Sequence, residues 1–584
     1  MRHPNLRICW RGSAAAALVL LLGSPALAAT FNPTTASEIQ SAMITAATNG
    51  EDDTIVIPAG TFTDEDNGNS SFDYNSTENH SLTIEGAGAG ATILKQVSSG
   101  GSLLEIYNST NPAGFTLTGV TIEGADSDGL ANAAGDGAVV NIQDCAFVNN
   151  NRNLFLVGGS VTANISGNSI NGGVYGLYQS FSDANLTVSN NTFENMAGNG
   201  SALYISNIQS SINIIGNTFN NNQSDTFGGA LDMVGFAGPL TLINNVFSGN
   251  SSDNEAGAVN IPPNDAPITV IGNVFLDNIS TGSTTAGGLY AEFSDSILLV
   301  NNTFAGNQTD SGAGGVLVLP LSVSDTSSFY NNIAFGNTGD FADDVRVADA
   351  YGVAGAPIVL SHNDIGDFSS VCEETGGCTP DIQSTNNITA DPQFIDLDAG
   401  NLNLATGSPA IGAGDPAAPQ LPTQDLTGRT LNNPPDMGAF AVGSLVVSPL
   451  SLDFGNVDVG EAETLAVTLS NEGANPVAIS GLVLSNTAVF SIDSSDCGGS
   501  TPSIPSGESC DLLVTFEPDS EDGFDGTLTI NSDDSTLPSV VIDLSGTGSS
   551  GGGGGCSLGA MNLSSAQAAW LLIPLLWAFR RFRK

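Results

Sequence analysis

Positive charge is the first thing this 584-residue chain lacks: 11 Lys+Arg stand against 60 Asp+Glu, a net charge of −49. Arg2, Arg7 and Arg11 open the chain and Arg580, Arg581, Arg583 and Lys584 close it, so only Lys95, Arg152, Arg346 and Arg429 serve the body between. So acidic a body repels phosphate backbones, which excludes nucleic acid as a partner. Histidine is nearly as scarce. Beyond His3 only His80 and His362 remain, and neither sits in a recognisable motif. The seven cysteines form no C-x-x-C pair, so zinc has no ready ligand set. What the chain has instead is 70 glycines, recurrent Asn-Asn pairs, short β-branched runs and 40% apolar residues. That composition is too apolar for a disordered acidic chain and reads as an all-β protein rich in turns.

The two ends read as addresses. Arg2, Arg7 and Arg11 precede the apolar run 14–22 and then Ala26-Leu27-Ala28. This is the layout of a secretory signal peptide over 1–28, with cleavage expected between Ala28 and Ala29 and an oxidising destination. At the far end a Gly/Cys linker over 549–562 leads into a membrane helix expected over 563–584. Its apolar heart, 566–579, is only about 21 Å long as helix against a hydrocarbon core of roughly 30 Å, so flanking Leu563 and Phe582 must extend it. The basic tail after it is expected to stay inside. Gly551–Gly555, Cys556, the apolar helix and the Arg cluster together resemble the C-terminal sorting signals of Gram-negative bacteria. The resemblance implies an exported envelope or surface protein, a sorting protease as partner, and Gly555 and Cys556 as the processing or anchoring residues. A plain tail anchor is the alternative.

The remaining cysteines agree with export. Cys372 and Cys378 enclose one short loop and Cys497 and Cys510 another, making two candidate local disulfides. Cys145 falls at an apolar position of a strand pattern and reads as a buried thiol.

Self-similarity dominates the middle. The segments Leu186-Thr-Val-Ser-Asn-Asn-Thr-Phe193, Ile212-Asn-Ile-Ile-Gly-Asn-Thr-Phe219, Leu240-Thr-Leu-Ile-Asn-Asn-Val-Phe247, Ile268-Thr-Val-Ile-Gly-Asn-Val-Phe275 and Ile297-Leu-Leu-Val-Asn-Asn-Thr-Phe304 end at positions spaced 26, 28, 28 and 29. A second motif keeps step: Gly200-Ser-Ala-Leu203, Gly228-Gly-Ala-Leu231, Ala256-Gly-Ala-Val259 and Ala286-Gly-Gly-Leu289. A period in the twenties built of short strands with no helix pattern is one turn of a parallel β-solenoid. The five phenylalanines are expected to stack inside. Asn191, Asn217, Asn245, Asn273 and Asn302 are expected at the bend, in left-handed geometry, with each amide bonding the next rung.

A solenoid also needs its ends covered. Thr35–Thr48 reads as an amphipathic helix with Ile39, Met43 and Ile44 on one face. With Asp53-Thr-Ile-Val-Ile-Pro-Ala-Gly-Thr-Phe62 and the run 82–94 after it, the segment resembles the N-terminal cap of the pectin-lyase-like, right-handed parallel β-helix superfamily. Asp391-Pro-Gln-Phe394, Gly407-Ser-Pro-Ala-Ile-Gly-Ala-Gly-Asp415 and Asp436-Met-Gly-Ala-Phe440 resemble the closing segment called choice-of-anchor Q. The helix is thus expected over 29–441. Beyond it, alternation at 465–469, 512–516, 528–530 and 540–544 reads as an immunoglobulin-like β-sandwich over 445–548. Leu450-Ser-Leu-Asp-Phe-Gly-Asn-Val-Asp-Val-Gly460 and Phe516-Glu-Pro518 there resemble the choice-of-anchor D domain, akin to the abnormal-spindle/hydin type, which implies a spacer.

Many proteins of that β-helix superfamily cleave acidic polysaccharides, but the residues argue against it here. Pectate lyases use Arg or Lys as base with Ca²⁺ on the uronate, and this body offers few basic residues, far apart. The Asn-Thr-Asp, Gly-His-Gly and Arg-Ile-Lys motifs of polygalacturonases are absent. Asp225 and Asp232 flank Gly228-Gly229, and Asp253, Asp277 and Asp310 recur at nearby turns, where they read as solvated turn residues rather than a hydrolytic pair. Asp64-Glu-Asp-Asn-Gly68 has the carboxylate density of a calcium loop without its ligand spacing. No catalytic, cofactor or metal residue is therefore assigned, and Ca²⁺ stays open. The leading expectation is a non-catalytic surface protein meeting glycans or other surface proteins, held to the membrane by its C-terminal helix. The alternative is an extracellular glycoside hydrolase or lyase. An autotransporter passenger is disfavoured, because the C-terminus lacks the alternating strands of a translocator barrel. A groove with stacked aromatics and convergent carboxylates favours the enzyme; a flat Asn/Thr-laddered surface favours display.

Overall fold

A computed structural model describes residues 28–98, 100–108, 113–282, 285–348, 356–371, 381–405, 407–429, 431, 433–441, 445–471, 476–505, 507–534 and 537–550. The segment expected to be a signal peptide (apart from Ala28), Cys372, Cys378, Gly555, Cys556 and the stretch 563–584 expected to be a membrane helix lie outside them. No helix of the described residues is long and apolar enough to cross a membrane.

The first part of the chain is a parallel β-helix with three faces. One turn runs from Leu231–Val234 on the first face to Leu240–Ile243 on the second and Val246–Ser248 on the third, then through Ser251–Ser252 back to the first face at Val259–Asn264. Every strand on these faces pairs in parallel with its counterpart one turn away, for example Leu240↔Ile268 and Phe247↔Phe275. Period-2 alternation decides what lies inside: Leu240 and Leu242 are fully buried, and Thr241 between them faces out. Phe193, Phe219, Phe247, Phe275 and Phe304 stack down the interior, with ring centroids 4.5–4.9 Å apart and planes within 16° of parallel.

Two corners make each turn possible. Between the second and third faces one residue takes left-handed geometry: Asp144, Gly167, Asn190, Gly216, Asn244, Gly272, Asn301, Asn331, His362 and Asn386 all have φ between 50° and 67°. The expectation put the left-handed residue one place too late. The first residue of each pair turns the chain, and the second, Asn191 or Asn245, turns inward and is buried. Only the first position leaves the following amide pointing along the helix axis. A continuous ladder results, Asn168 to Asn191, Asn217, Asn245, Asn273, Asn302, Asn332, Asn363 and Asn387, each amide donating to the next Oδ1 at 2.9–3.0 Å. Cys145 stands at this position one turn earlier, where its N–H donates to Asn168 Oδ1. It is buried, and burial pushes its thiol up to about 12. A second ladder, not anticipated, follows the third face: Asn222, Asn250, Asn278, Asn307 and Asn337. It ends on the carboxylate of Asp344, 2.7 Å from Asn337 Nδ2.

The Gly-x-Ala-Leu repeat has its own cause. A Cβ on Gly229, Gly257, Gly287 or Gly314 would fall 2.3–2.4 Å from a backbone oxygen of the next rung. Successive turns therefore approach closely at this second position of the repeat, where only the first copy carries a side chain, Ser201.

At the N-terminal end Ala36–Ala46 is helical, capped by the Thr35 hydroxyl. Ile39 and Met43 are buried but Ile44, expected beside them, is 60% exposed. At 100° per residue it lies about 140° round from Ile39. At the other end, the segment expected to close the helix instead runs back along the outside of the third face. Leu402 and Ala439 pack on Val274, Leu276 and Ala305, and Met437 packs on Ile333. Asn301 Nδ2 donates to the carbonyls of Asp436 and Gly438 at 3.0 Å.

From Leu445 onward there are two further sheets. Leu445–Ser448, Glu463–Asn471, Ser509–Phe516 and Phe490–Asp493 form one; Ser451–Asp458, Ser539–Ser549, Gly523–Ser532, Val477–Leu484 and Ser503–Ile504 form the other. Residues of both, including Val467, Leu512, Phe516, Ile530 and Ile542, share one core. Cys497 and Cys510 are joined by a disulfide with Cα atoms 5.0 Å apart.

Candidate functional site

The outer surface of the first face carries the chemistry. Parallel register places one outward residue per turn in a row: Phe155↔Tyr178, Tyr178↔Tyr204, Tyr204↔Asp232, Asp232↔Asn260 and Asn260↔Tyr290. Neighbouring strands lie about 4.8 Å apart, so these side chains must touch. Tyr178 and Tyr204 stack at 4.7 Å and 19°, Phe155 tilts onto Tyr178 at 5.5 Å, and Tyr175 meets Tyr178 edge-on at 5.3 Å. The three row aromatics are half-buried, which leaves part of each ring to solvent. Arg152 closes one end, with its guanidinium 4.0 Å from the Phe155 ring centroid and its Nε 2.5 Å from Asp128 Oδ1.

Asp232 closes the other end, and it corrects the reading of this residue as a solvated turn carboxylate. It lies within the strand Leu231–Val234 and is only 2% exposed. Burial, with Glu255 adding repulsion, pushes its carboxyl up to about 6 against the opposing hydrogen bond from Asn260 Nδ2 at 2.9 Å. Glu255 is itself raised, by burial and then by Glu292. Tyr290 donates its hydroxyl to Glu292. Burial, Tyr178 and Asp232 together push the Tyr204 hydroxyl up to about 12. Asp225, Asp253, Asp277 and Asp310 are exposed, as read from the sequence.

The other residues singled out lie away from this site, although Arg346 belongs to the same row, two turns beyond Tyr290. Lys95 pairs with Glu123 at 2.8 Å, Arg346 lies over the Phe341 ring, and Arg429 donates to the Ala441 carbonyl. His80 sits 3.6 Å from Asp52, and His362 takes a left-handed corner between Ser361 and Asn386. Asp64 is buried, and its Oδ1 accepts the amides of Glu65 and Val97, so its lone pairs serve its own loop. No group of three or more His, Cys, Asp or Glu side chains suited to a metal ion occurs among the described residues. Ala28 is exposed and Ala29 begins the first strand, paired with Asp53.

Tyr178, Tyr204, Asn260, Glu255 and Glu292 were missed by the sequence reading. The signal was available for the row. The residue following each Gly-x-Ala-Leu repeat is its outward member: Tyr204, Asp232, Asn260, Tyr290.

Comparison with known proteins agrees on the scaffold. The family "Right handed beta helix region" matches residues 102–275, which assigns the hand, and "Cep192 domain 4" matches 444–549. No curated protein matches. Among solved structures, the A-module of the Azotobacter vinelandii mannuronan C-5 epimerase AlgE6 is 15% identical over 62% of this chain and 100% of its own, with TM-score 0.31. The ASH / PapD-like domain 7 of human CEP192 is 14% identical over 19% of this chain and 89% of its own, with TM-score 0.16. A Porphyromonas gingivalis W83 protein of unknown function is 21% identical over 19% of this chain, with TM-score 0.16, and the match spans half of that protein. A right-handed parallel β-helix followed by a two-sheet all-β unit is the class of protein these findings define.

Proposed function

We propose that this is an exported protein, held at the cell envelope by its C-terminal segment, whose β-helix binds extracellular glycan along the outer first face. The observation that carries the reading is the half-exposed Phe155–Tyr178–Tyr204 row running into Asp232. Sugar rings offer C–H faces that lie on aromatic rings, and a few polar groups at one end fix their orientation. The unit at 445–548 serves as an immunoglobulin-like spacer. A sorting protease processes the tail near Gly555 and Cys556.

Hydrolysis is a second reading, favoured by Asp232. A carboxyl titrating near 6 suits proton donation to a leaving oxygen, and Glu255 beside it offers a second carboxylate. Uronans are poor candidates in both readings, because Asp232, Glu255 and Glu292 would repel them. The deciding experiment incubates the purified secreted chain with a panel of neutral, amino and acidic oligosaccharides and scores binding and reducing-end release together. Saturable binding lost in Tyr178→Ala and Tyr204→Ala supports the glycan face. Reducing ends released by wild type and not by Asp232→Asn support hydrolysis. No binding to any glycan would defeat both.

A further inference from the structure

We infer that the glycan recognised on the first face carries primary amines: an amino sugar whose ammonium is received by Asp232, Glu255 and Glu292. The inference rests on the glycan-binding reading of this face and narrows it to a substrate class.

Three observations converge on a cation. Burial raises both Asp232 and Glu255, and the carboxyls are also arranged against one another: Glu255 acts on Asp232 and Glu292 on Glu255. No guanidinium or ammonium is among the groups perturbing either one. The two cations of this row are both engaged elsewhere: Arg152, three turns before Asp232, pairs with Asp128 and stacks on Phe155, and Arg346, two turns after Tyr290, lies over the Phe341 ring. Like charges gathered without a counter-ion cost free energy in the empty site, and an arriving cation recovers it.

The second observation is independent of charge. Asn260 is 3% exposed and its Nδ2 is committed to Asp232, yet its Oδ1 has no hydrogen-bond partner among the described residues. A buried acceptor left unmade is costly, and what it needs is a donor. An ammonium brings three N–H donors and no acceptor, so it suits three carboxylates and the Asn260 Oδ1, where the donors present, Asn260 Nδ2 and the Tyr290 hydroxyl, are already spent on the carboxylates. An N-acetyl group brings one N–H and a carbonyl that would face these carboxylates.

The third is the adjoining platform. Tyr204 is the register neighbour of Asp232, and its ring stacks on Tyr178. A sugar lying on the two rings reaches the carboxylates with a ring substituent. The ring faces also favour a nearby cation.

The test titrates the full secreted chain, by calorimetry at pH 6.5 and low salt, with glucosamine hexamer and separately with N-acetylglucosamine hexamer. One site per chain and at least a tenfold preference for the amine are expected. In Glu255→Gln/Glu292→Gln the preference should fall at least threefold, with the part that remains due to Asp232. That variant leaves Asp232 and the core untouched, and an unchanged thermal midpoint checks its fold. Equal affinity for the two hexamers in wild type overturns the amine assignment and leaves the glycan face standing. A preference that survives unchanged in the double variant also overturns it, since the acidic surface at large would then be responsible. Failure of the glucosamine hexamer to bind overturns the amine assignment too, and the glycan reading falls with it only if the neutral and acidic oligosaccharides of the wider panel also fail.

Discussion

Asn245 donates both its backbone N–H and its side-chain amide to a single atom, Oδ1 of Asn273, at 2.8 and 2.9 Å. Its own Oδ1 receives the same pair from Asn217, and its second amide hydrogen goes to the Ile214 carbonyl. Every polar group of the side chain is thus satisfied inside a dry interior. Asn245→Leu would strand two donors of Asn217, remove the side-chain donor to Asn273 while keeping the backbone one, and leave the Ile214 carbonyl without its amide partner, at a cost of about 3 kcal/mol. Urea unfolding monitored by circular dichroism should show the midpoint falling. The neighbouring Asn244, at φ 53°, should tolerate Gly and resist Val, because a β-branched side chain clashes in left-handed geometry. Equal effects of the two substitutions at 244 would refute the corner assignment.

Phe247 stacks between Phe219 and Phe275 at 4.9 and 4.8 Å. Phe247→Ala should destabilise by about 3–5 kcal/mol through lost burial and a residual cavity, and Phe247→Leu by less. Since each turn touches only its neighbours, partial unfolding around that rung is the expected form of the damage. Hydrogen exchange would locate it.

Acidity should stabilise the β-helix. Asp232 and Asp344 are pushed up to about 6 and Asp364 to about 7 from an ordinary 3.8, chiefly by burial. The Ala390 amide only partly offsets the rise at Asp364, and Asp344 and Asp391 add repulsion there. Groups raised in this direction contribute stability that is fully present below about 4 and lost as pH climbs through 6 to 7. At about 1.4 kcal/mol per pH unit, each is worth at most roughly 3–4 kcal/mol. Thermal midpoints should therefore be higher at pH 5.5 than at pH 8, and Asp364→Asn should flatten that difference. A midpoint rising with pH over this range would contradict the assignment.

Tyr204→Ala should abolish glycan binding with little loss of stability, because its ring is part of the outer platform and not of the interior stack. Tyr204→Phe keeps the face and should retain binding. Loss in both variants would assign the contact to the hydroxyl instead.

Processing at both ends is open to mass spectrometry of envelope-derived protein. An N-terminus at Ala29 is expected, which places the new end directly in the first strand, where Ala29 N–H meets the Asp52 carbonyl at 3.2 Å. A C-terminus near Cys556 is expected from a sorting cut. A peptide spanning 570–580 still attached would show retention of the whole tail.

Local chemistry repeated at a fixed interval was enough to specify the solenoid from sequence. Phe247 could be read as interior and the Asn-Asn pair as a corner because each recurs once per turn, and a parallel stack turns recurrence into contact. The same logic could not say which asparagine of the pair takes the left-handed bond, since both tolerate it; the direction of the following amide decided that. Nor could it make Asp232 anything but a turn residue, because Gly228-Gly229 nearby and the acid itself both look like surface. What surrounds Asp232 comes from the turns on either side, Tyr204 before it and Asn260 after it, and from Glu255 at the far end of its own turn. The run from Asp391 to Phe440 looked like a lid for the same reason. Its alanines and Met437 fit an apolar surface, and only the folded chain places that surface on the flank of the third face rather than at the end. Pattern within one turn fixes what a residue is; lateral register across turns, which carries no local signature, fixes what it meets.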